Sequence, residues 1–448
     1  MTRGPIGTRL VDASSAWLVV IGVILAYFTL LIALGGHQAW DALGVPPVSP
    51  GFFDLRSVTS GWDCARQHTG AWPDNPCDPW GRPENYPRIW IAASVLGLGQ
   101  DETYVIGGCI AVFFFVTALL VLPRDAPMGV ALVYAFALCS PAVMFGVERG
   151  NVDLTLFSMV TVAGLVMRRM PSGPPVASAL ILVAAILKLF PIAAVGMLTG
   201  LPRRVAAVCI PAVLAIFTLY ALATLGDIRA IDRVLPQDDE YAYGVHITGD
   251  WLGHLAGSGT VWDAALVVSS IVAAIAFRRR LSVRLAMTPS RDLDLFCAGA
   301  GVYVATFALV RSADYRLVFL LLTVPWLARL AAARGVLAIA TLTGVLATLW
   351  LPTEWRWANV PLVEDILRRW NDVTVAGGES LPLGAVAQVL AFAGLTLLLA
   401  AAIHANWVQE RDPAESPAGR ADSVGATPEV SVQETHESGN RSSSLSRR

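Results

Sequence analysis

Eleven apolar runs, near 15–35, 104–122, 128–147, 152–167, 174–201, 205–224, 260–277, 293–311, 315–329, 335–351 and 382–403, dominate this sequence. A span of about 20 apolar residues crosses a bilayer as a helix, because only helices and closed barrels satisfy their backbone polar groups in lipid. Of 448 residues, 55% are hydrophobic and only 15% charged, which leaves too little polar surface to coat a soluble body. The chain is therefore expected to be an all-α polytopic membrane protein. The first run, Ser15 to Gly35, is followed by no small-residue cleavage pattern and reads as a retained anchor. A net charge of −2 gives no support to nucleic-acid binding.

Arginine placement sets the topology. Strict alternation of eleven spans would put Arg168 and Arg169 opposite Arg203 and Arg204. The conflict disappears if the 174–201 run is a hairpin broken at Lys188-Leu189-Phe190-Pro191, since proline removes a backbone donor and disfavours helix before it. With the N-terminus cytoplasmic, Arg124, Arg278 to Arg280, Arg284, Arg329 and Arg334 then join those pairs on the cytoplasmic side. The expectation is a bundle of 11–12 transmembrane helices over residues 1–403, followed by a disordered cytoplasmic tail at 404–448. Outside lie a large 36–103 loop, Glu148 to Asn151, the Lys188 turn, a second loop at 225–259, Arg311 to Arg316, and 352–381.

That outer face holds the unexplained polar residues. Lys188 is the only lysine in the chain and sits in the apolar run VAAILKLFPIAA. An ionisable group at membrane depth costs about 2.5 kcal/mol or more and marks a functional site by default. With Arg149 and the Arg311/Arg316 pair of VRSADYRLVF it forms a set able to hold a phosphate or diphosphate; taken singly, each reads rather as a snorkelling or helix-linking group. Residues 51–90 add Asp54, Arg56, Arg82, Arg88, Tyr86 and the tryptophans Trp62, Trp72, Trp80 and Trp90, whereas ordinary bundle loops need only about 2–8 residues. Asp54 follows Phe52-Phe53, and a partly desolvated carboxylate there suits a general base, or else a helix cap. Asn85 to Trp90 reads as a platform for sugar rings or as an interfacial aromatic belt. The second loop brings Asp238, Asp239, Glu240, Tyr241, Tyr243, His246, Asp250 and Trp251, a lid over an acceptor or a solvated acidic surface.

Cys109, Cys139, Cys209 and Cys297 lie in apolar spans and read as packing residues, while Cys64 and Cys77 share the exported loop, where a disulfide is chemically permitted. The six histidines show no ligand spacing, and neither a metal nor an organic cofactor is expected.

Four elements in order, FFDLRSVTSG, NYPRIW, ERGNVDLTLF and AAILKLFP, resemble the polytopic GT-C glycosyltransferases of glycosyltransferase family 87, over roughly residues 15 to 350. That family includes actinobacterial mannosyl- and arabinofuranosyltransferases that use polyprenyl-phosphate sugars. The resemblance implies a GT-C-like bundle in the bacterial cytoplasmic membrane, its active site on the exported face. It implies a metal-independent, inverting transfer of a hexosyl or pentosyl residue from a polyprenyl-phosphate sugar to a cell-envelope glycan or glycolipid. Asp54 takes the place of the catalytic carboxylate. The phosphate would fall to Arg149, Lys188, Arg311 and Arg316, and the sugar or acceptor to Arg56, Tyr86, Arg88, Trp90, Asn151 and His246. The insert DCARQHTGAWPDNPCDPWGRPEN has no counterpart in the motifs that carry the resemblance. A transporter or flippase of a lipid-linked glycan is the alternative, although alternating access distributes polar groups about the midplane, and here they crowd one face.

Overall fold

The computed structural model describes residues 6–69, 72–235, 242–256, 258–309, 311–351 and 383–408. Expectations for Asp238 to Tyr241, the Trp251 side chain, the 352–381 segment and the tail beyond 408 lie outside those residues or side chains.

The described chain is almost wholly helical. It runs through α1 (Ile6–Ala33), α2 (His37–Ala42), α3 (Phe53–Arg66), a 3₁₀ segment (Arg88–Leu96), a single 3₁₀ turn (Gln100–Glu102), α4 (Thr103–Val121), α5 (Met128–Leu138), α6 (Pro141–Arg149), α7 (Asp153–Val166) and α8 (Gly173–Leu187). A second 3₁₀ segment (Phe190–Gly200) leads to α9 (Arg203–Ala223), α10 (Leu225–Val234), β1 (Ala242–Tyr243), α11 (Val245–Ala256), α12 (Gly259–Arg284) and α13 (Arg291–Leu309). Then come β2 (Ser312–Ala313), a third 3₁₀ segment (Asp314–Leu322), α14 (Val324–Ala332), α15 (Val336–Trp350) and a last helix, α16 (Leu383–Val408).

Every one of the eleven apolar runs carries helix. Among the described residues six helices are long and apolar enough to cross a membrane, and two bent pairs, α5 with α6 and Asp314–Leu322 with α14, raise the number to eight. Their bends are 51° and 55°. Each falls beside a proline, Pro141 or Pro325, at the first turns of the second helix, where the missing N–H costs nothing. Four shorter apolar helices accompany them: α7, α8, Phe190–Gly200 and α15. The chain is thus an all-α protein with the helices of a multi-pass membrane protein.

Helix α13 runs through the middle of the bundle and packs on Phe190–Gly200 and on Asp314–Leu322. Small residues permit the approach: a Cβ on Gly301 would lie 2.5 Å from the Ala193 carbonyl oxygen, and one on Gly299 would lie 2.5 Å from that of Phe319. Away from the cleft described below, Arg168 grips the Asp294 carboxylate through Nε and Nη2, fastening the region after α7 to α13. By contrast α9 and α12 turn most of their apolar surface outward, as lipid-facing helices do.

Two regions read as loops are more ordered than that. Within 36–103 lie α2, α3 and a 3₁₀ segment, and within 225–259 lie α10, β1 and α11. The strands pair antiparallel, Ala242 with Ala313 and Tyr243 with Ser312. The last helix continues through His404 to Val408, past the point where the tail was expected to begin.

Candidate functional site

The site is organised by chain breaks. Helix α6 ends at Gly150, which has φ 60° and ψ 32°, so the chain turns in the left-handed region that glycine adopts without penalty. Asn151 N–H returns to the Gly146 carbonyl at 3.0 Å. The Asn151 side chain then caps α7, its Oδ1 accepting the Asp153 N–H at 2.9 Å. On the other side, Phe52 precedes α3 with φ 60° and donates its N–H to Glu148 O at 3.2 Å. Its ring fills a slot between two glycines: a Cβ on Gly107 would lie 2.6 Å from it, and one on Gly150 would lie 2.9 Å away. Asp54 therefore emerges in the first turn of α3 from a firmly seated dipeptide, with its carboxylate near the helix's positive end.

Asn151 Nδ2 donates to Asp54 Oδ2 at 2.6 Å. Beside them, Lys188 stands in extended backbone where α8 stops. Its Nζ donates to Asp153 Oδ1 at 2.6 Å and lies 5.1 Å and 5.2 Å from the ring centres of Tyr86 and Tyr315. Arg316 completes the group. Its Nε is 3.8 Å from Asp153 Oδ2, Nη1 donates to Ser312 Oγ at 3.1 Å, and the guanidinium lies over Phe190. Arg149 lies over Phe53 and Phe145, with Nε 3.3 Å from Glu148 Oε2.

Of these side chains Asp54, Tyr86, Arg149, Lys188, Tyr315 and Arg316 border one cleft of about 1410 Å³. Asp54, Tyr86, Arg88, Arg149, Lys188, His246, Arg311 and Arg316, predicted from positions spread over the chain, all line it. Apolar lining comes from Ile89 and Ile91 of the first 3₁₀ segment, from Ile228, Ile231 and Leu235 around α10, and from Leu309, with Arg88, Asp227 and Asp232 set among them.

Three expected residues do not border the cleft. Asn151 reaches it only through Asp54. Arg56 is buried beneath it, donating from Nε to Gly51 O at 3.0 Å with its guanidinium over Tyr104. Trp90 is a structural link: its Nε1 donates to Leu187 O at 2.9 Å and its carbonyl accepts from Trp62, so the first 3₁₀ segment is tied to the end of α8. Arg88 pairs with Asp227 of α10 at 3.1 Å and stacks on Trp72.

Cys64 and Cys77 are disulfide-bonded. The segment that follows Cys77 is fastened to the site by Arg82, which sequence reasoning gave no role. Arg82 holds Asp78 through Nε and Nη2, donates from Nη2 to Phe53 O at 2.8 Å, and lies 3.5 Å from the Phe53 ring centre. Asp153 was also missed as the partner of Lys188, although an acidic residue at the head of an apolar helix is the signal that would have found it.

Two groups in the 36–103 region have displaced acidities. Burial, and after it the charge of Asp54, holds the Tyr86 phenol well above its ordinary range, so it stays a donor at the cleft wall. Burial pushes the Glu84 carboxyl up to about 8; it is 1% exposed and lies against Gly61 of α3. Among the described residues no group of three or more His, Cys, Asp or Glu is placed to hold a metal ion. Comparison with protein-family models, with characterised proteins and with solved structures gives no match.

Proposed function

We propose that this chain is an integral membrane glycosyltransferase of GT-C type. It transfers a hexosyl or pentosyl residue from a polyprenyl-phosphate sugar to an envelope glycan or glycolipid at the exported face of the cytoplasmic membrane. The observation that carries the reading is a single cleft lined by Asp54, steadied by Asn151 at 2.6 Å, and by the cations Lys188, Arg149, Arg311 and Arg316. A carboxylate beside a cationic cluster suits base-assisted attack of a hydroxyl on an anomeric carbon whose leaving group is a phosphate. The apolar lining of the cleft suits the first isoprene units of a lipid carrier.

In the proposed reaction Asp54 takes the proton of the acceptor hydroxyl as its oxygen bonds to the anomeric carbon. The bond from that carbon to the phosphate oxygen breaks, and the polyprenyl phosphate leaves with its electron pair. A single displacement of this kind inverts the anomeric configuration. Lys188 uses one of its three N–H groups on Asp153 and keeps others for a phosphate oxygen. A flippase would need no base, and the link between Asn151 and Asp54 would then lack a chemical role. The test is incorporation of labelled sugar into an envelope lipid extract by purified protein supplied with polyprenyl-phosphate mannose, arabinose, glucose or galactose. Transfer from at least one donor is expected; none from any donor rejects the reading.

A further inference from the structure

His246 is not an isolated residue of the acceptor side. Its Nδ1 lies 2.7 Å from Asp263 Oδ2, and a carboxylate at that distance requires the proton on Nδ1. Nε2 is then the nitrogen left to meet a ligand. The ring lines the cleft and is 49% exposed, whereas the Asp263 side chain is 11% exposed and stands behind it in the first turns of α12. This is an oriented imidazole, not a solvated surface histidine.

The small sheet decides which part of the cleft it serves. Ala242 and Ala313 are register partners, and both line the cleft. His246 follows β1 by three residues, while Arg311 and Arg316 flank β2. Tyr243 further anchors this strand, its hydroxyl 2.7 Å from that of Thr306 on α13. Continuing the register sets Arg311 opposite Gly244, so His246 leaves the sheet at the end where Arg311 enters it, and both line the cleft with Arg316. An imidazole with an N–H on each nitrogen donates from Nδ1 to Asp263 and from Nε2 to a phosphate oxygen.

We propose that His246 is a phosphate-binding residue of the donor site and that Asp263 is its positioning residue. This rests on the glycosyltransferase reading and deepens it: the imidazolium engages the phosphate, whereas Asp54 does not. A charge-assisted hydrogen bond of this kind is expected to change affinity roughly tenfold.

The experiment is equilibrium binding of decaprenyl phosphate, which carries no sugar, to the purified full-length protein in detergent. His246→Ala is expected to weaken binding roughly tenfold. His246→Gln, which keeps an N–H donor at the same reach, should recover part of that loss. Asp263→Asn should give an intermediate loss, and Asp54→Asn should bind like the wild type. In turnover, His246→Gln should raise the donor KM more than it lowers kcat, as loss of ground-state phosphate binding requires. Wild-type binding that persists unchanged in His246→Ala and His246→Gln overturns this inference and leaves the glycosyltransferase reading intact. Failure of the wild type itself to bind decaprenyl phosphate overturns both.

Discussion

Asn151 donates from Nδ2 to Asp54 Oδ2 at 2.6 Å, joining the turn after α6 to the first turn of α3 across 97 residues of sequence. The same amide caps α7 through Oδ1, so the carboxylate is held by a group that is itself fixed. Asn151→Ala removes the amide and frees the carboxylate to rotate. The expected result is a fall in kcat of about 10- to 100-fold, as loss of a charge-assisted bond implies, with membrane insertion and donor KM little changed. Steady-state kinetics on the purified variant check it.

Lys188 and Asp153 form a buried pair, with side chains 13% and 1% exposed. Removing Lys188 leaves Asp153 only the more distant Arg316 at 3.8 Å, and removing Asp153 leaves Lys188 and Arg316 without their shared carboxylate; breaking a buried pair costs about 3–5 kcal/mol. Lys188→Met and Asp153→Leu should each lower the melting temperature in detergent, and the double variant should melt higher than either single one. All three should lose transfer, because the cation at the cleft is gone or misplaced. Thermal unfolding followed beside activity separates the two roles.

The slot that seats Phe52 is formed by the absence of two side chains. Gly107→Ala puts a methyl where the Phe52 ring lies, at a cost of about 1–3 kcal/mol if the ring cannot yield. If it does yield, Asp54 shifts and kcat falls. Phe52→Leu combined with Gly107→Ala makes room again and should restore part of the stability and turnover lost by Gly107→Ala. A double-mutant cycle on both quantities reads the coupling.

Glu84 provides a pH signature outside the bundle. Its folded carboxyl titrates at about 8 against an ordinary 4.5, so between those values the folded state holds a proton that the unfolded chain releases. Stability attributable to this group is complete below about pH 4.5, declines as pH rises, and is lost above about 8. Glu84→Gln cannot ionise. The variant should match or fall below the wild type in melting temperature at pH 5 and exceed it at pH 8.5, which thermal scans at the two pH values check.

The bundle is legible because a bilayer leaves a long apolar run few alternatives to helix, and the break at Lys188 is legible because Pro191 has no N–H to give. Arg149 and Arg316 stand out as charges at the ends of apolar runs, Lys188 as a charge within one, and Asp54 as a carboxylate directly after Phe52-Phe53, all local properties. Their partners do not. Asp153 meets Lys188 across 35 residues, and Asp263 meets His246 across 17, through contacts that only packing creates. The helical character of α10 was in fact written in the sequence: Leu225, Ile228, Ile231 and Leu235 recur at helical spacing, and they were obscured by the acidic residues between them. Trp90 reads in the sequence as part of an interfacial belt or of a sugar platform, and its N–H is in fact committed to the Leu187 carbonyl.

The most direct measurement compares wild type with Asp54→Asn in transfer of labelled sugar from the polyprenyl-phosphate donor that the wild type uses, with decaprenyl phosphate binding measured on the same preparations. A general base contributes about 10²- to 10⁴-fold, so the variant should lose activity by that factor or more while binding the lipid phosphate as tightly as the wild type. Full turnover by Asp54→Asn would contradict Asp54 as the base.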